Sequence, residues 1–198
     1  MKKYNLKRNV IALCLATVLV LAGSGCGKKL TSDPGATDPN GSEQTTLDPL
    51  SFTYIDSKIR DYTFGINDYM KAHSDEAYQK VTNGQTPNGV AGECTYTKSP
   101  DGKFESLQMM KTLENATQVD EYFNMGDSIF ITRTTVYNDG NFDPVDKYYI
   151  IDGGMYKVDN EASTVTKVAD LNDAAAAGAK KTELDLYLSF DEIRPIYA

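Results

Sequence analysis

Few side chains in this sequence are suited to covalent or acid–base chemistry. There are three cysteines, Cys14, Cys26 and Cys94, and one histidine, His73. A thiolate can act as a nucleophile or a soft metal ligand, but only where a basic neighbour or a helix N-terminus lowers its pKa. Cys94 sits in Gly92-Glu93-Cys94-Thr95-Tyr96-Thr97, with no basic residue beside it, and reads as a half-buried structural thiol in a strand. His73 falls one step beyond Ile66 and Tyr69 on an apolar stripe of helical spacing. It has no second histidine to join it, and helical spacing brings no acidic pair onto its face. It therefore reads as a core or boundary residue, not as a metal ligand or a base. The run Asn138-Asp139-Gly140-Asn141-Phe142-Asp143-Pro144-Val145-Asp146 is rich in oxygen ligands that suit calcium. Its spacing is not that of an EF-hand, and a polar hairpin loop is the plainer reading. No metal or cofactor is expected.

Recognisable catalytic motifs are missing. The chain has no G-x-S-x-G, S-x-x-K, H-E-x-x-H, Walker loop or G-x-G-x-x-G. With 28 acidic residues, carboxylate pairs could still assemble into a hydrolase. That reading predicts two acids facing each other in a cleft.

Cys26 offers a different chemistry. Lys2, Lys3, Lys7 and Arg8 form a basic start, and an apolar run follows from Val10 to Ala22. The run is too short to span a bilayer as a stable helix and suits an export signal. Small residues then lead into the cysteine. Leu21-Ala22-Gly23-Ser24-Gly25-Cys26 resembles the lipobox of bacterial lipoproteins, with Gly23 standing where that family usually has an aliphatic residue. The resemblance implies cleavage before Cys26 and acylation of its thiol and new amino group, which anchors the protein on the extracytoplasmic side of the cell membrane. Two or three acyl chains hold stably where one does not. Losing residues 1–25 would leave 16 basic residues against 28 acidic ones, a formal net charge of −12. Such a surface repels nucleic acid and anionic lipid, so the lipid itself must be the membrane contact. Cys94 would then be the last cysteine of the mature chain, with none left to form an intramolecular disulfide.

The elements that position these residues follow from composition and period. Residues 26–47 hold two large apolar side chains, Leu30 and Leu47, among Gly, Ser, Thr, Asp, Pro, Asn and Lys. They read as a flexible tether with a coil reach of about 25 Å. One globular domain is expected over residues 48–198. Asp48-Pro49 predicts a helix start. The stripe Phe52, Ile55, Ile59, Tyr62, Ile66, Tyr69, with Met70, Ala77 and Val81 beyond it, predicts one long amphipathic helix that stops at Asn83-Gly84. Gly65 near its middle marks a bend or a close contact. After Gly89 the period changes to two. Strands are expected over 93–98, 103–111, 119–124, 128–137, 147–152, 155–159 and 164–168. They are joined by Ser99-Pro100-Asp101-Gly102, Met125-Gly126-Asp127 and Gly153-Gly154. Leu184, Leu186, Leu188 and Phe190 alternate with polar residues and read as a last strand. Asn115 to Phe123 could open a short helix, and a strand is preferred there. Ala174 to Ala177 reads as a short helix or a loop.

The expected fold is α+β, with the long N-terminal helix packed on a curved antiparallel meander of about seven or eight strands. Tyr148 to Asp159, followed by Val165-Thr166-Lys167-Val168, resembles hairpins of the periplasmic lipoprotein-carrier family. That resemblance implies a curved sheet sheltering an apolar cavity, and it transfers no site residue. Tyr96, Tyr122, Tyr137, Tyr148, Tyr149, Tyr156 and Tyr187 suit half-buried strands as well as binding surfaces.

Three functional readings follow. The first is a lipid-anchored, non-enzymatic interaction module that meets an envelope or extracellular protein. The second is a carrier or sensor with an apolar ligand between helix and sheet, and the third is the carboxylate hydrolase.

Overall fold

A computed structural model describes residues 47–73, 79–85 and 91–198. Residues 1–46, with Cys14, Cys26, the expected export signal and most of the expected tether, lie outside the described residues. The described chain is α+β. Helix α1 (Phe52–Ala72) is followed by eight strands: β1 (Gln79–Gln85), β2 (Ala91–Lys98), β3 (Glu105–Thr112), β4 (Ala116–Asn124), β5 (Ser128–Tyr137), β6 (Asp146–Ile151), β7 (Gly154–Asp159) and β8 (Thr164–Asp170). Helices α2 (Ala174–Leu184) and α3 (Phe190–Tyr197) close the chain.

The helix is shorter than the apolar stripe suggests, at both ends. Asp48-Pro49 forms a turn, closed by Ser51 N–H to the Asp48 carbonyl. The cap is Ser51, whose hydroxyl accepts from Tyr54 N–H. At the other end His73 caps the helix, and Val81, Asn83 and Gly84 lie in β1. Ala77 lies outside the described residues. Val81, a β-branched residue three places from Gly84, suits a strand as readily as a helix, so tertiary pairing with β2 decides the matter.

All eight strands form one antiparallel sheet in chain order. From β2 to β5 and from β6 to β8 each neighbour is reached by a short connection of two to six residues, which makes the pattern legible. Gly102 N–H closes the Ser99–Gly102 turn on the Ser99 carbonyl. Between β6 and β7 the turn pair is Asp152-Gly153, one residue earlier than Gly153-Gly154, and both turn residues have positive φ. Asn115 lies in the β3–β4 turn, and Ala116 to Asn124 is strand throughout.

The sheet is covered on both faces. On one face Ile55 of α1 packs with Tyr149, Ile151 and Val158, joined by Phe52, Ile59 and Tyr156. Further along α1, Tyr62 and Tyr69 meet Phe104. Gly65 is a close contact, because a Cβ there would stand 3.1 Å from the Phe104 ring. On the opposite face Leu107, Met109, Tyr122, Ile131, Ile150 and Met155 pack against Leu186, Tyr187, Phe190, Ile193 and Tyr197. The alternating segment 184–190 is thus not a strand. Leu184 ends α2, Asp185 turns the chain in the left-handed region at φ 52°, and Phe190 begins α3. Leu186 and Tyr187, adjacent in sequence, are both buried, which no two-fold alternation on one sheet face allows.

Candidate functional site

The residues singled out in the sequence are mostly structural. Cys94 is fully buried in the second-face core, and the Tyr197 hydroxyl lies against its sulfur. His73 sits at the end of α1, with Nδ1 3.0 Å from the Tyr69 carbonyl and its ring stacked on Tyr69 at 4.1 Å. The oxygen-rich loop uses its own carboxylates. Asp139 accepts from Asn141 N–H and Nδ2, Asp143 accepts from the Tyr137 hydroxyl, and Asp146 pairs with Lys157. No group of three or more metal-ligating side chains occurs among the described residues. Tyr96, Tyr122, Tyr148, Tyr149 and Tyr187 are buried, whereas Tyr137 is exposed.

The acidic residues do assemble, but each close group is clamped by a cation. Glu105 receives Arg194 through two parallel bonds, Nε to Oε1 and Nη2 to Oε2, both 2.6 Å. The Tyr96 hydroxyl and Asn124 Nδ2 also donate to it. Burial opposes ionisation of Glu105, yet Arg194, Tyr96 and Asn124 outweigh it and hold the carboxyl at about 2. A depressed carboxyl pKa stabilises the fold fully above pH 4.5, and that stability is lost as the pH falls toward 2. Urea titrations of the wild type between pH 5 and 2 should therefore lose about 2 kcal/mol through this group, after allowing for the part-exposed guanidinium. An Arg194→Ala variant should show a flatter acid limb. Identical acid limbs in the two proteins would remove Glu105 from the account.

Asp120 and Asp185 share a second clamp. Lys111 Nζ lies 2.8 Å from Asp120 Oδ2 and 3.0 Å from Asp185 Oδ2, and Arg133 makes two bonds to Asp120. The Asp120–Asp185 pair is buried and held by Lys111, not set across an open cleft as glycoside or similar hydrolysis needs.

The site that sequence reading missed lies beneath α1. Register places Gln108 opposite Glu121, Glu121 opposite Thr132, and Thr132 opposite Lys147. Gln108 Nε2 donates to one Glu121 oxygen at 3.0 Å, and the Thr132 hydroxyl to the other at 3.2 Å. Burial raises the Glu121 carboxyl against these two bonds. Lys147 is 7% exposed. Burial pushes its ammonium down to about 8, against the attraction of Asp56 and Asp159. The side chain lines a cavity of about 30 Å³ between α1 and the sheet, together with Asp56, Arg60, Thr63 and Thr132. A row of four polar residues on the helix-facing side of four neighbouring strands has no one-dimensional signature. Only the strand register brings the four together.

A second, larger hollow opens at the sheet end formed by the β4–β5 and β6–β7 turns and the start of α3. Its volume is about 330 Å³, and its lining includes Asn124, Asp127, Asp152, Ser189, Asp191 and Arg194. The cation in its lining, Arg194, is spent on Glu105 and Asp191, and Asp127 is paired with Lys58 of α1. The chain matches no protein-family model, no curated protein and no solved structure.

Proposed function

We propose that this is a lipoprotein, cleaved before Cys26, acylated there and held on the extracytoplasmic side of the cell membrane. Residues 48–198 act in this reading as a non-enzymatic interaction module for an envelope or extracellular protein. The eight-stranded meander is taken to curl about α1, as twisted sheets of this width do. The observation that favours a module over a carrier is the packing under α1. The cavity there is about 30 Å³, whereas pockets for drug-sized ligands run from about 300 Å³ upward. Tyrosines that could have lined a lipid cavity are packed into the two cores instead. Of the carboxylates in the open hollow at the α3 end, Asp127 is paired with Lys58 and Asp191 with Arg194, which weighs against the hydrolase. The open polar hollow at the α3 end supplies a surface of the size a partner loop fills.

Two measurements test the reading separately. The intact mass of protein from host membranes should show Met1 absent and Cys26 acylated, and Cys26→Ser should release the domain from the membrane. A chain that keeps Met1 and carries no fatty acid overturns the anchor. Organic extraction of the purified domain should yield no stoichiometric lipid. A lipid recovered at one per chain overturns the module in favour of the carrier.

A further inference from the structure

The sheet end opposite the α3 hollow is built by the β3–β4 turn (113–115) and the β5–β6 loop (138–145). Strand register gathers apolar side chains there. Leu113 N–H bonds the Ala116 carbonyl, and Ala116 faces Tyr137, so the three form one row on one face of the sheet. In the adjacent row Thr117 faces Val136, and Val136 bridges to Phe142, so Phe142 stands on the other face. Leu113 is 40% exposed, Tyr137 39% and Phe142 59%. Exposed apolar residues scattered singly are ordinary. Three on one sheet end, two of them aromatic, have the composition of the core of a protein contact.

The aromatic pair is held in place by the fold. Asp143 N–H bonds the Thr135 carbonyl, the Thr134 hydroxyl bonds the Asp143 carbonyl, and Tyr137 N–H bonds the Asn141 carbonyl. Asn138 N–H ties the loop to the Asn115 carbonyl of the neighbouring turn. The Tyr137 hydroxyl donates to the Asp143 carboxylate at 3.1 Å. A surface fixed in this way loses little freedom when a partner arrives. The same end is acidic without relief. Asp139 accepts from Asn141 and Asp143 from Tyr137, both neutral donors, and Glu114 is exposed. Among the described residues, no lysine or arginine forms an ion pair with any of these three carboxylates, whereas Asp146 just beyond them is paired with Lys157.

The charge decides between occupants. Three uncompensated carboxylates repel an anionic lipid surface, and they repel a second copy of a chain whose formal net charge is −8. A basic protein surface has the complementary sign. We propose that this sheet end docks into an apolar socket rimmed by lysine or arginine on a partner protein. Tyr137 and Phe142 are its anchors on the two faces, and Glu114, Asp139 and Asp143 meet the rim. The inference rests on the reading of the domain as an interaction module, and adds a contact surface at the far end from the α3 hollow.

The test is photo-crosslinking in the host. A benzophenone analogue of phenylalanine replaces Phe142 in the full chain, and parallel chains carry it in place of Phe64 on α1, 42% exposed, or Asp191 at the hollow. Position 142 should capture one protein that position 64 does not. That protein is then purified and titrated against the lipidated full chain in detergent. Phe142→Ser should weaken binding about 30-fold, the loss of a contact hot spot, with Tm unchanged because the side chain is exposed. Glu114→Gln with Asp139→Asn should weaken it about tenfold at low salt and less at high salt. No adduct at 142, equal capture at 64, an adduct with lipid or with a second copy of this chain, or binding indifferent to both variants overturns the proposal. Capture at position 191 without capture at 142 removes this surface and leaves the module reading standing. Capture at neither removes both.

Discussion

Asp120→Ala is expected to cost about 3–5 kcal/mol of folding free energy, the largest loss from any single polar substitution in the domain. Asp120 is fully buried and holds two cations, Lys111 through Oδ2 and Arg133 through both oxygens. With Asp185 the group contains two positive and two negative charges, so it is neutral as built. Deleting Asp120 leaves Lys111 and Arg133 sharing one carboxylate at a largely buried site. Such a residual charge is what makes breaking a buried pair so expensive, more than the lost attraction itself. Urea unfolding should show a lower midpoint with an unchanged slope, because the surface exposed on unfolding stays the same. Raising the salt should not recover the loss, since a buried pair is poorly screened. A loss below about 1 kcal/mol, typical of exposed pairs, would mean that water reaches the group. Replacing Lys111, Asp120, Arg133 and Asp185 together by apolar residues of similar volume should cost far less than Asp120→Ala alone.

The same network explains which parts of the fold sequence could reveal. Local turn chemistry was legible at Ser99-Pro100-Asp101-Gly102, which specifies its turn by backbone conformation within four residues, whereas the Gly153-Gly154 reading fell one residue late of the Asp152-Gly153 turn. Strands flanked by such turns followed directly. Lys111 sits in β3, Asp120 in β4 and Asp185 after α2, so nothing local marks them as partners. The polar row under α1 escaped for the same reason, as Gln108, Glu121, Thr132 and Lys147 are neighbours only through register. The C-terminal segment was misread for a subtler reason. Leu184, Leu186, Leu188 and Phe190 do alternate, but Ser189-Phe190-Asp191-Glu192 is also a capping-box pattern for a helix start. In the structure the Glu192 carboxylate accepts from Leu188 N–H at 3.0 Å, one residue ahead of the Ser189 cap, whose own hydroxyl makes no capping bond. The apolar residues of β6 carried a further clue. Tyr148-Tyr149-Ile150-Ile151 has no polar position, which is the mark of a strand covered on both faces. One long helix could not supply both covers.

That second cover underlies the other large effect. A chain ending at Asp185 is expected not to fold cooperatively. The removed segment contributes Leu186, Tyr187, Phe190, Ile193 and Tyr197, each no more than 4% exposed. Burying one large apolar side chain is worth about 1.5–3 kcal/mol, and five of them together match the whole 5–15 kcal/mol stability of an ordinary domain. The deletion also removes Arg194, which stitches α3 to Glu105. It uncovers Cys94, Leu107, Met109, Tyr122 and Ile131 to water as one apolar patch across the middle of the sheet. Circular dichroism should show strand content without a sharp thermal transition, and size-exclusion should show association. A milder variant keeps the comparison quantitative. Ile193→Ala leaves the segment in place and should cost about 2–5 kcal/mol with the transition still cooperative. A truncated chain that melts sharply near the wild-type Tm would show that α1 and the sheet fold without the C-terminal cover. Helix α3 would then be an appendage docked on a finished domain, and the Arg194–Glu105 bonds would contribute little to folding.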